Sequence, residues 1–430
     1  MPRKRFLTAI ISLALVLLLT LYMAGIFPPV DSRLRPSGYA DYIPTPGDSF
    51  TYYIDQNKQR IRTALSEHFF NKQAAPFGPA YSLEDVVQMR APFQIPQSGQ
   101  LCNDPQAGSG KGFLLVHGLS DSPYLLSAVA LSLAEFYPCA LIRGLLIPGH
   151  GTVPGDLMQV GRDDWDRATA FGIEGFPEAV KELYMVGYSN GSSLLLSYLD
   201  QHRGDDFLKA LILLSPGLKA SDELIYLAPY VHRLVKWVNI DADRDAAKYE
   251  SFAMNAAAEF HKLTTEVTHP GFHPIDIPVF MVMSSDDTTA NNNIAVEFFC
   301  NKVSNSHRRL LWYRSAITEI YPSMDCDGME IVDVAVSNKR FINHSHVSIT
   351  IPMSDPHYGI DGKYSSCLAY SEDSVRFAEC NSNNAGTVYG ENSIRDENDL
   401  YQGKLVRRTT FNPLYDEMMN EVQCFIDQSC

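Results

Sequence analysis

Between residues 111 and 216, short apolar runs alternate with stretches of helical periodicity, and this alternation restricts the fold more than any other feature of the sequence. The runs GFLLVHG, CALIRGLL, ELYMVGYS and ALILLSP are typical of buried parallel strands that end in turns. The segments between them, such as SPYLLSAVALSLAEFY, have the period of helices. Since strands and helices alternate with short connections, the sequence predicts a mostly parallel central sheet with helices on both faces.

The alternation stops after Pro216, and a strand pattern returns at IPVFMVMSS. The two segments between these points, 221–240 and 246–267, both look helical. We therefore predict a helical insertion over about 219–275. This insertion is either a set of ordinary packing helices or a lid over a site.

The sequence on either side of this region predicts additions to the central sheet. Residues 31–100 are rich in Pro, Tyr and polar side chains, and they are predicted to form a linker with a packing extension. A second insertion is predicted over about 358–408, in which the polar stretch 382–399 is expected to be a loop. The stretch NPLYDEMMNEVQCFID predicts a final amphipathic helix, so one domain over 101–430 contains both insertions.

The N-terminus predicts a membrane anchor. Arg3, Lys4 and Arg5 precede an uncharged stretch over 6–30, whose apolar part is long enough to cross a bilayer as a helix. The basic cluster is expected to stay in the cytoplasm, which places the folded domain in the periplasm or outside the cell. The exit sequence LYMAG lacks the small residue that signal cleavage prefers, so we favour an uncleaved anchor over 1–30. A cleaved signal and secretion are the alternative.

Eight cysteines follow this anchor, and an even number in an exported chain suggests disulfides. Short separations favour pairing of Cys367 with Cys380 and of Cys424 with Cys430. Cys139 lies beside an apolar run, which is compatible with a buried free thiol. No Cys/His spacing in the chain suggests a zinc site.

The motif Gly187-Tyr188-Ser189-Asn190-Gly191 lies where an apolar strand passes directly into a helix. Such a short connection needs a very sharp turn, and the glycines at both ends let backbone pass close to backbone. The serine at the tip is forced into a strained conformation at a helix N-terminus, where developing negative charge is favoured. We therefore predict that Ser189 is a catalytic nucleophile; the alternative is a tight turn with a capping serine.

A serine nucleophile needs a base, and the base needs an acid that orients it. In chains with this kind of turn the order is serine, then acid, then histidine. Asp286 and Asp287 follow the strand at IPVFMVMSS, and the usual distance from a strand end favours Asp287. For the base we choose His346, which is expected on the loop after the last strand, with His344 second and His357 third.

The oxyanion of the tetrahedral intermediate needs hydrogen-bond donors. The residue after the nucleophile, Asn190, supplies one backbone N–H, and the loop after the first strand of the alternation supplies another from Leu119. His117 lies in that same loop and precedes the serine, so we do not expect it to be the base. His150, in the stretch PGHG, is expected to organise its own loop.

Together these motifs resemble a known superfamily. The stretches LLVHGLSDSPY, IPGHGTVPGDLMQVGRDDWDRA and VGYSNGSSLLL, with the late Asp and His, are similar to the α/β-hydrolase superfamily, and most of all to bacterial carboxylesterases and monoacylglycerol lipases. The resemblance covers about 110–290 well and is absent from 1–100 and 358–408. It implies the α/β-hydrolase fold, a helical cap between the sixth and seventh strands, ester hydrolysis, and no metal or organic cofactor.

The sequence thus predicts a serine esterase or lipase that acts on a small-molecule ester or lipid through Ser189, His346 and Asp287. Acyl transfer, or hydrolysis of a thioester or an amide, by the same residues is the first alternative. A non-catalytic binding module tethered to the membrane is the second. The net charge of −15 argues against nucleic acid as a partner, and the sequence identifies no protein partner.

Overall fold

The computed structural model describes residues 31–39, 42–71, 76–77, 80–96, 102, 108–334, 340–382 and 386–429. The predicted anchor over 1–30 lies outside these ranges. Within them, no helix combines the length and the apolar character that a bilayer span requires.

An eight-stranded sheet forms the centre of the molecule. The strands of the chain are, in order, β1 (Phe93–Ile95), β2 (Lys111–Val116), β3 (Leu141–Leu145), β4 (Glu182–Tyr188), β5 (Leu208–Leu214), β6 (Trp237–Asn239), β7 (Phe252–Ala253), β8 (Val279–Ser284), β9 (Arg308–Ser315), β10 (Met329–Val334), β11 (Thr387–Gly390), β12 (Leu400–Tyr401) and β13 (Lys404–Arg408). The central order is β1-β3-β2-β4-β5-β8-β9-β10, and every neighbouring pair is parallel except β1 with β3. The predicted mostly parallel sheet is confirmed.

Helices cover both faces of this sheet. They are α1 (Phe50–Leu65), α2 (Leu83–Arg90), α3 (Ser127–Phe136), α4 (Arg162–Glu174), α5 (Asn190–Gln201), α6 (Ala228–Val231), α7 (Met254–Val267), α8 (Asn292–Lys302), α9 (Val375–Asn381) and α10 (Tyr415–Asp427). A π-helical turn follows α1 at Ser66–Phe70, and 3₁₀ turns lie at Ser32–Leu34, Pro123–Leu126, Pro154–Met158, Glu223–Leu227 and Asn392–Ile394. One apolar core lies between the sheet and α4, α5, α7 and α8, and a second lies between the opposite face and α3 and α10.

The N-terminal extension contributes directly to the sheet. Its strand β1 pairs antiparallel with β3, although the sequence pattern predicts no strand there. Helix α1 is fixed to the same edge, because the hydroxyl of buried Tyr53 donates to the carbonyl oxygen of Leu146 at 2.5 Å and accepts from its N–H at 3.1 Å. Since β1 has only three residues, its sequence is too short to carry a strand period.

The cap insertion is less helical than the sequence predicts. The segment 221–240 forms only the 3₁₀ turn at Glu223–Leu227 and the short helix α6, and it ends in strand β6, which pairs with β7. Pro229 lies at the start of α6, and the β-branched and aromatic residues of VKWVNI favour an extended backbone over a helix. Helix α7 does form as a long helix within the second predicted segment.

The C-terminal insertion forms a small three-stranded sheet of order β11-β13-β12. The stretch 382–399, predicted to be a loop, contains the buried strand β11 at Thr387–Gly390. The reason is that the short apolar run TVYG pairs in parallel with β13, a partner that follows it along the chain. This second sheet brings the end of β13, at Arg408, to the central domain.

Disulfides hold three parts of the chain together. The pairs are Cys102–Cys139, Cys300–Cys326 and Cys367–Cys380. The third of these pairs was predicted from its short separation. For the other predicted pairing, of Cys424 with Cys430, Cys424 is in a disulfide and Cys430 lies outside the described residues. The suggestion that Cys139 is a free thiol is wrong, because Cys139 is bonded to Cys102.

Candidate active site

The strand order determines where a site forms. Strands β2 and β4 are neighbours, but the chain runs from β2 outward to β3 on one side and continues from β4 to β5 on the other. The loops after their carboxyl ends therefore diverge, and open α/β sheets bind ligands in the crevice at such a point. The loop after β2 carries Leu119, and Ser189 directly follows β4.

Ser189 occupies a turn of a single residue. Strand β4 ends at Tyr188 and helix α5 begins at Asn190, so Ser189 joins them with φ 51° and ψ −118°. A side chain at Gly191 would collide with the carbonyl oxygen of Val116, and a Cβ at Gly187 would lie 2.6 Å from Ser192 Cα. The turn therefore requires both glycines, and it holds a half-buried serine in a conformation that non-glycine residues rarely adopt.

The structure brings Ser189, His346 and Asp287 into one hydrogen-bonded chain. Ser189 Oγ lies 2.8 Å from His346 Nε2, and His346 Nδ1 lies 2.6 Å from Asp287 Oδ2. With a neutral imidazole, Nδ1–H donates to the carboxylate and leaves Nε2 to accept from the serine hydroxyl. This is the arrangement in which an imidazole removes a proton from an attacking hydroxyl.

Asp287 is held in its ionised form. Burial alone raises the pKa of its carboxyl, but the charge of His346 and hydrogen bonds to the carboxylate outweigh burial, so the pKa falls below its ordinary value. Two of these hydrogen bonds come from the backbone N–H groups of Thr289 and Ala290, at 2.7 and 2.9 Å from Oδ1. Oδ1 is thus used to fix the carboxylate, and Oδ2 faces the imidazole.

The alternative acid and bases lie in other surroundings. Asp286 Oδ2 accepts from the hydroxyl of Ser285 at 3.0 Å, and burial raises the pKa of Asp286. His344 is buried with Nε2 2.9 Å from Asn412 Oδ1, and burial lowers its pKa to about 4. His357 Nε2 lies 2.8 Å from a carboxylate oxygen of another buried residue. Among the described hydrogen bonds, none joins these three side chains to Ser189.

Two other histidines support the loop that carries Leu119. His150 Nε2 accepts from the N–H of Ser120 at 3.0 Å, so its Nδ1–H donates to Pro148 O at 3.1 Å. His117 accepts from a backbone N–H at Nε2 and donates from Nδ1 to a neighbouring carbonyl oxygen. Burial lowers the pKa of both imidazoles, which keeps them neutral and able to accept. Their positions agree with the loop-organising role expected for His150.

The two predicted oxyanion donors lie beside the serine. Leu119 lines the same cavity as Ser189, and Asn190 is the first residue of α5, so its backbone N–H has no acceptor within the helix. The loop after β2 approaches closely, because a Cβ at Gly118 would lie 3.0 Å from Ser189 Cβ. Gly217 packs on the other side of the serine, where a Cβ would lie 3.2 Å from its Oγ.

The cavity at Ser189 measures about 210 Å³ and is lined by both apolar and charged side chains. The apolar side chains include Ile225, Phe252 and Phe260, all from the cap insertion. The charged side chains include Asp121, Lys248 and Arg408, none of which was identified from the sequence. Of these three, only Asp121 lies in one of the sequence motifs, the stretch LLVHGLSDSPY, two residues after Leu119.

Asp121 is a buried carboxylate whose charge is poorly matched. Its Oδ1 has no hydrogen-bond partner within the described ranges and lies 4.0 Å from Lys248 Nζ. Burial raises the pKa of Asp121 to about 6. Perturbed carboxyl groups in a cavity are characteristic of functional sites, where they are kept at a cost in stability.

We expect Asp121→Asn to stabilise the fold at neutral pH. The pKa of Asp121 rises from an ordinary 3.8 to about 6 on folding, so the folded state binds more protons between these values and loses stability as pH rises. The resulting cost is about 3 kcal/mol above pH 6, and it vanishes below pH 4. Thermal unfolding at pH 8 should therefore give a melting temperature a few degrees higher for the variant, and the difference should shrink at pH 4.

Asp206→Asn is the matched control, because it removes an exposed carboxylate. It should leave the melting temperature nearly unchanged at both pH values. An Asp121→Asn variant that is less stable than the unmodified protein at pH 8 would contradict this explanation.

The sheet, the helices on both faces, the cap and the one-residue turn at Ser189 give this chain the α/β-hydrolase fold, as the sequence predicts. No family model matches the chain, and no curated protein matches it. Among solved structures, it is similar to one described with LipS and LipT, two metagenome-derived lipolytic enzymes, at 17% identity and a TM-score of 0.44, covering 52% of this chain and 87% of that one.

Two further structures show a similar degree of likeness. A soluble variant of monoglyceride lipase from Saccharomyces cerevisiae has 14% identity and a TM-score of 0.41, with 52% of this chain and 82% of that chain covered. The monoacylglycerol lipase of Paleococcus ferrophilus has 16% identity and a TM-score of 0.40, with 52% and 88% covered. At these values the likeness carries no argument about activity, which depends on the site itself.

Proposed function

We propose that this protein is a serine hydrolase that cleaves carboxylic esters, in the manner of a carboxylesterase or a monoacylglycerol lipase. The observation that carries the proposal is the 2.8 Å contact between Ser189 Oγ and His346 Nε2, both of which line a cavity of about 210 Å³. A strained serine, an imidazole within hydrogen-bond distance and a carboxylate behind it are the parts of a nucleophilic catalyst.

In the first half of the reaction, Ser189 Oγ attacks the ester carbonyl carbon while His346 Nε2 takes the hydroxyl proton. Asp287 orients the imidazole and stabilises the imidazolium that forms. The backbone N–H groups of Leu119 and Asn190 stabilise the oxyanion of the tetrahedral intermediate. The imidazolium then gives its proton to the leaving alkoxide, and the alcohol departs from an acyl-enzyme.

In the second half, water attacks the carbonyl carbon of the acyl-enzyme and gives a proton to His346. The second tetrahedral intermediate collapses, the acid is released, and the proton returns to Ser189 Oγ. The apolar cavity wall formed by Ile225, Phe252 and Phe260 supports an apolar acyl group as the usual occupant.

The outer surface of the cap supports a substrate with lipid character. Several large apolar side chains there are exposed, including Leu224, Tyr230 and Leu234, and the last of these is 88% exposed. Monomeric soluble proteins seldom expose such a group of neighbouring apolar side chains without a partner or an interface.

Turnover of 4-nitrophenyl esters of increasing acyl length tests the proposal. We expect hydrolysis with an initial burst of about one nitrophenolate per enzyme where deacylation is slow, because an acyl-enzyme accumulates. An added alcohol acceptor identifies acyl transfer, and thioester and anilide analogues test the other reactions of the same residues. A folded protein that turns over none of these compounds would favour the non-catalytic binding module.

We also propose that the folded domain lies outside the cytoplasm, either anchored through residues 1–30 or secreted after cleavage. The three described disulfides support an oxidising compartment. Fractionation of intact cells checks this location, and a protein found only in the cytosol with reduced cysteines would contradict it.

A further inference from the structure

A second cavity adjoins the cavity at Ser189, and we call it the side cavity. It measures about 160 Å³, and both cavities have Lys248, Val347 and Arg408 in their walls. Val347 directly follows His346, so the shared wall is next to the proposed catalytic histidine in the chain. The side cavity therefore adjoins the cavity in which an ester would have its carbonyl carbon at Ser189 Oγ.

The walls of the side cavity carry more positive than negative side chains. Of the described residues that line it, Lys248, Arg395 and Arg408 are cationic, and Asp245 is the one carboxylate. Both oxygens of Asp245 are already held from within the protein, and one accepts from the hydroxyl of Tyr358 at 2.8 Å. The carboxylate is therefore engaged within the protein, and the excess charge of the lining is positive.

The three cations differ in how well their charge is matched. Arg408 donates to both oxygens of buried Glu391, with Nη2 2.9 Å from Oε2. The described ion pair of Lys248 is a long one, with Nζ 4.0 Å from Asp121 Oδ1. The charge of Arg395 is matched least well of the three. Its Nε and Nη2 are buried and have no acceptor in the part of the chain that the structure describes.

Packing holds the guanidinium of Arg395 in place. Its Cζ lies 4.9 Å from the ring centre of Tyr370. Burial lowers the pKa of Arg395 below the ordinary value for arginine, which agrees with a charge that lacks a close counter-ion. A cation without a close counter-ion attracts an anion most strongly where little water screens the two charges.

We propose that the side cavity is a subsite for an anionic group, so that the preferred substrates are esters that carry a carboxylate or a phosphate on one side of the scissile bond. This inference rests on the proposed ester hydrolysis at Ser189. Arg395 and Lys248 provide positive charge in the wall of the side cavity, Lys248 is shared by the two cavities, and Leu125 and Leu368 form part of the apolar wall. Because the whole chain has a net charge of −15, only such a local group of cations favours an anionic substrate.

Matched pairs of esters test the subsite in the unmodified protein. The acyl-side pair is 4-nitrophenyl hydrogen glutarate and its methyl ester, and the alcohol-side pair is 4-acetoxybenzoate and its methyl ester. A third pair, 4-acetoxyphenyl phosphate and phenyl acetate, replaces the carboxylate by a phosphate. We expect kcat/KM to be about tenfold higher or more for the anionic member of at least one pair, as for a hydrogen bond to a charged group.

The outcomes separate this inference from the proposed function. Hydrolysis of the neutral esters without an anionic preference in any pair would overturn the subsite and leave the esterase intact. If no ester is hydrolysed, the proposed function fails, and titration calorimetry of Ser189→Ala with the same pairs still measures binding. Tighter binding of an anionic member would then support the subsite, and equal or weaker binding would overturn it.

Substitutions at the side cavity identify the groups responsible. Arg395→Gln should lower the ratio of anionic to neutral kcat/KM about tenfold, and Arg395→Lys should retain part of the preference because it keeps the charge. Arg167→Gln, on the exposed face of α4, is the matched control for loss of one positive charge and should leave the ratio unchanged. If Arg395→Gln does not fold, Lys248→Met is the second variant. An unchanged ratio in a folded variant of either residue would overturn the assignment.

Discussion

Ser189→Ala is expected to lower kcat/KM for a 4-nitrophenyl ester by a factor of about 10⁵ or more. The alanine removes the only atom that forms the acyl-enzyme, while the oxyanion donors and the cavity remain. The positive φ at residue 189 is retained by the surrounding turn, so the variant should fold and unfold like the unmodified protein. Steady-state hydrolysis and thermal unfolding measured on the same preparations check both expectations.

Ser197→Ala is the matched control for this substitution. It removes a hydroxyl from helix α5, which follows Ser189, at a position whose hydroxyl donates to Glu266 and which does not line the cavity. We expect its kcat/KM to stay within about threefold of the unmodified value, as is usual away from a site. Retention of more than a few per cent of activity in Ser189→Ala would mean that another nucleophile carries the reaction.

His346→Ala is expected to cause a loss of similar size, because Ser189 then has no base within hydrogen-bond distance. Residues that act as one unit are strongly non-additive, so the double variant Ser189→Ala/His346→Ala should be no slower than either single variant. The measurement is kcat/KM for the same ester in the three variants. Additive losses in the double variant would show that the two side chains act separately.

The competing histidine provides the sharpest comparison. His344 is buried and bonds to Asn412, so His344→Ala should lower the melting temperature through a cavity and a lost hydrogen bond. The folded His344→Ala variant should keep kcat/KM within about tenfold of the unmodified value, because the side chain of His344 makes no described contact with Ser189. If His344→Ala abolishes turnover and His346→Ala does not, the base has been assigned to the wrong residue.

The parts of this structure that were predictable from sequence are those encoded by short stretches of the chain. The strands β2, β3, β4 and β5 are mostly apolar and bounded by turns, so their pattern is visible without the fold. The turn at Ser189 was predictable for a similar reason, since its two glycines and its flanking elements are adjacent in sequence. The choices of His346 and Asp287 depended on strand ends, and the structure brings both to Ser189, although their catalytic roles stay predictions.

The parts that were not predictable depend on contacts between distant segments. Strand β1 is recognisable only through its pairing with β3, and β11 only through its pairing with β13. The charged lining of the cavity combines Asp121, Lys248 and Arg408 from three separate segments, and no spacing in the sequence links them. Arg395 is likewise an ordinary loop residue until the C-terminal insertion folds against the central domain.

The most direct test of the central claim is to find which atom a fluorophosphonate probe modifies. The probe bonds to an activated serine Oγ with loss of fluoride, so mass spectrometry of the tryptic peptide 182–203 should locate the adduct at Ser189. The adduct should be absent from folded His346→Ala on the same time scale, because the hydroxyl is no longer activated. An adduct on a different residue, or a folded and unlabelled protein that still hydrolyses esters, would contradict a nucleophile at the turn between β4 and α5.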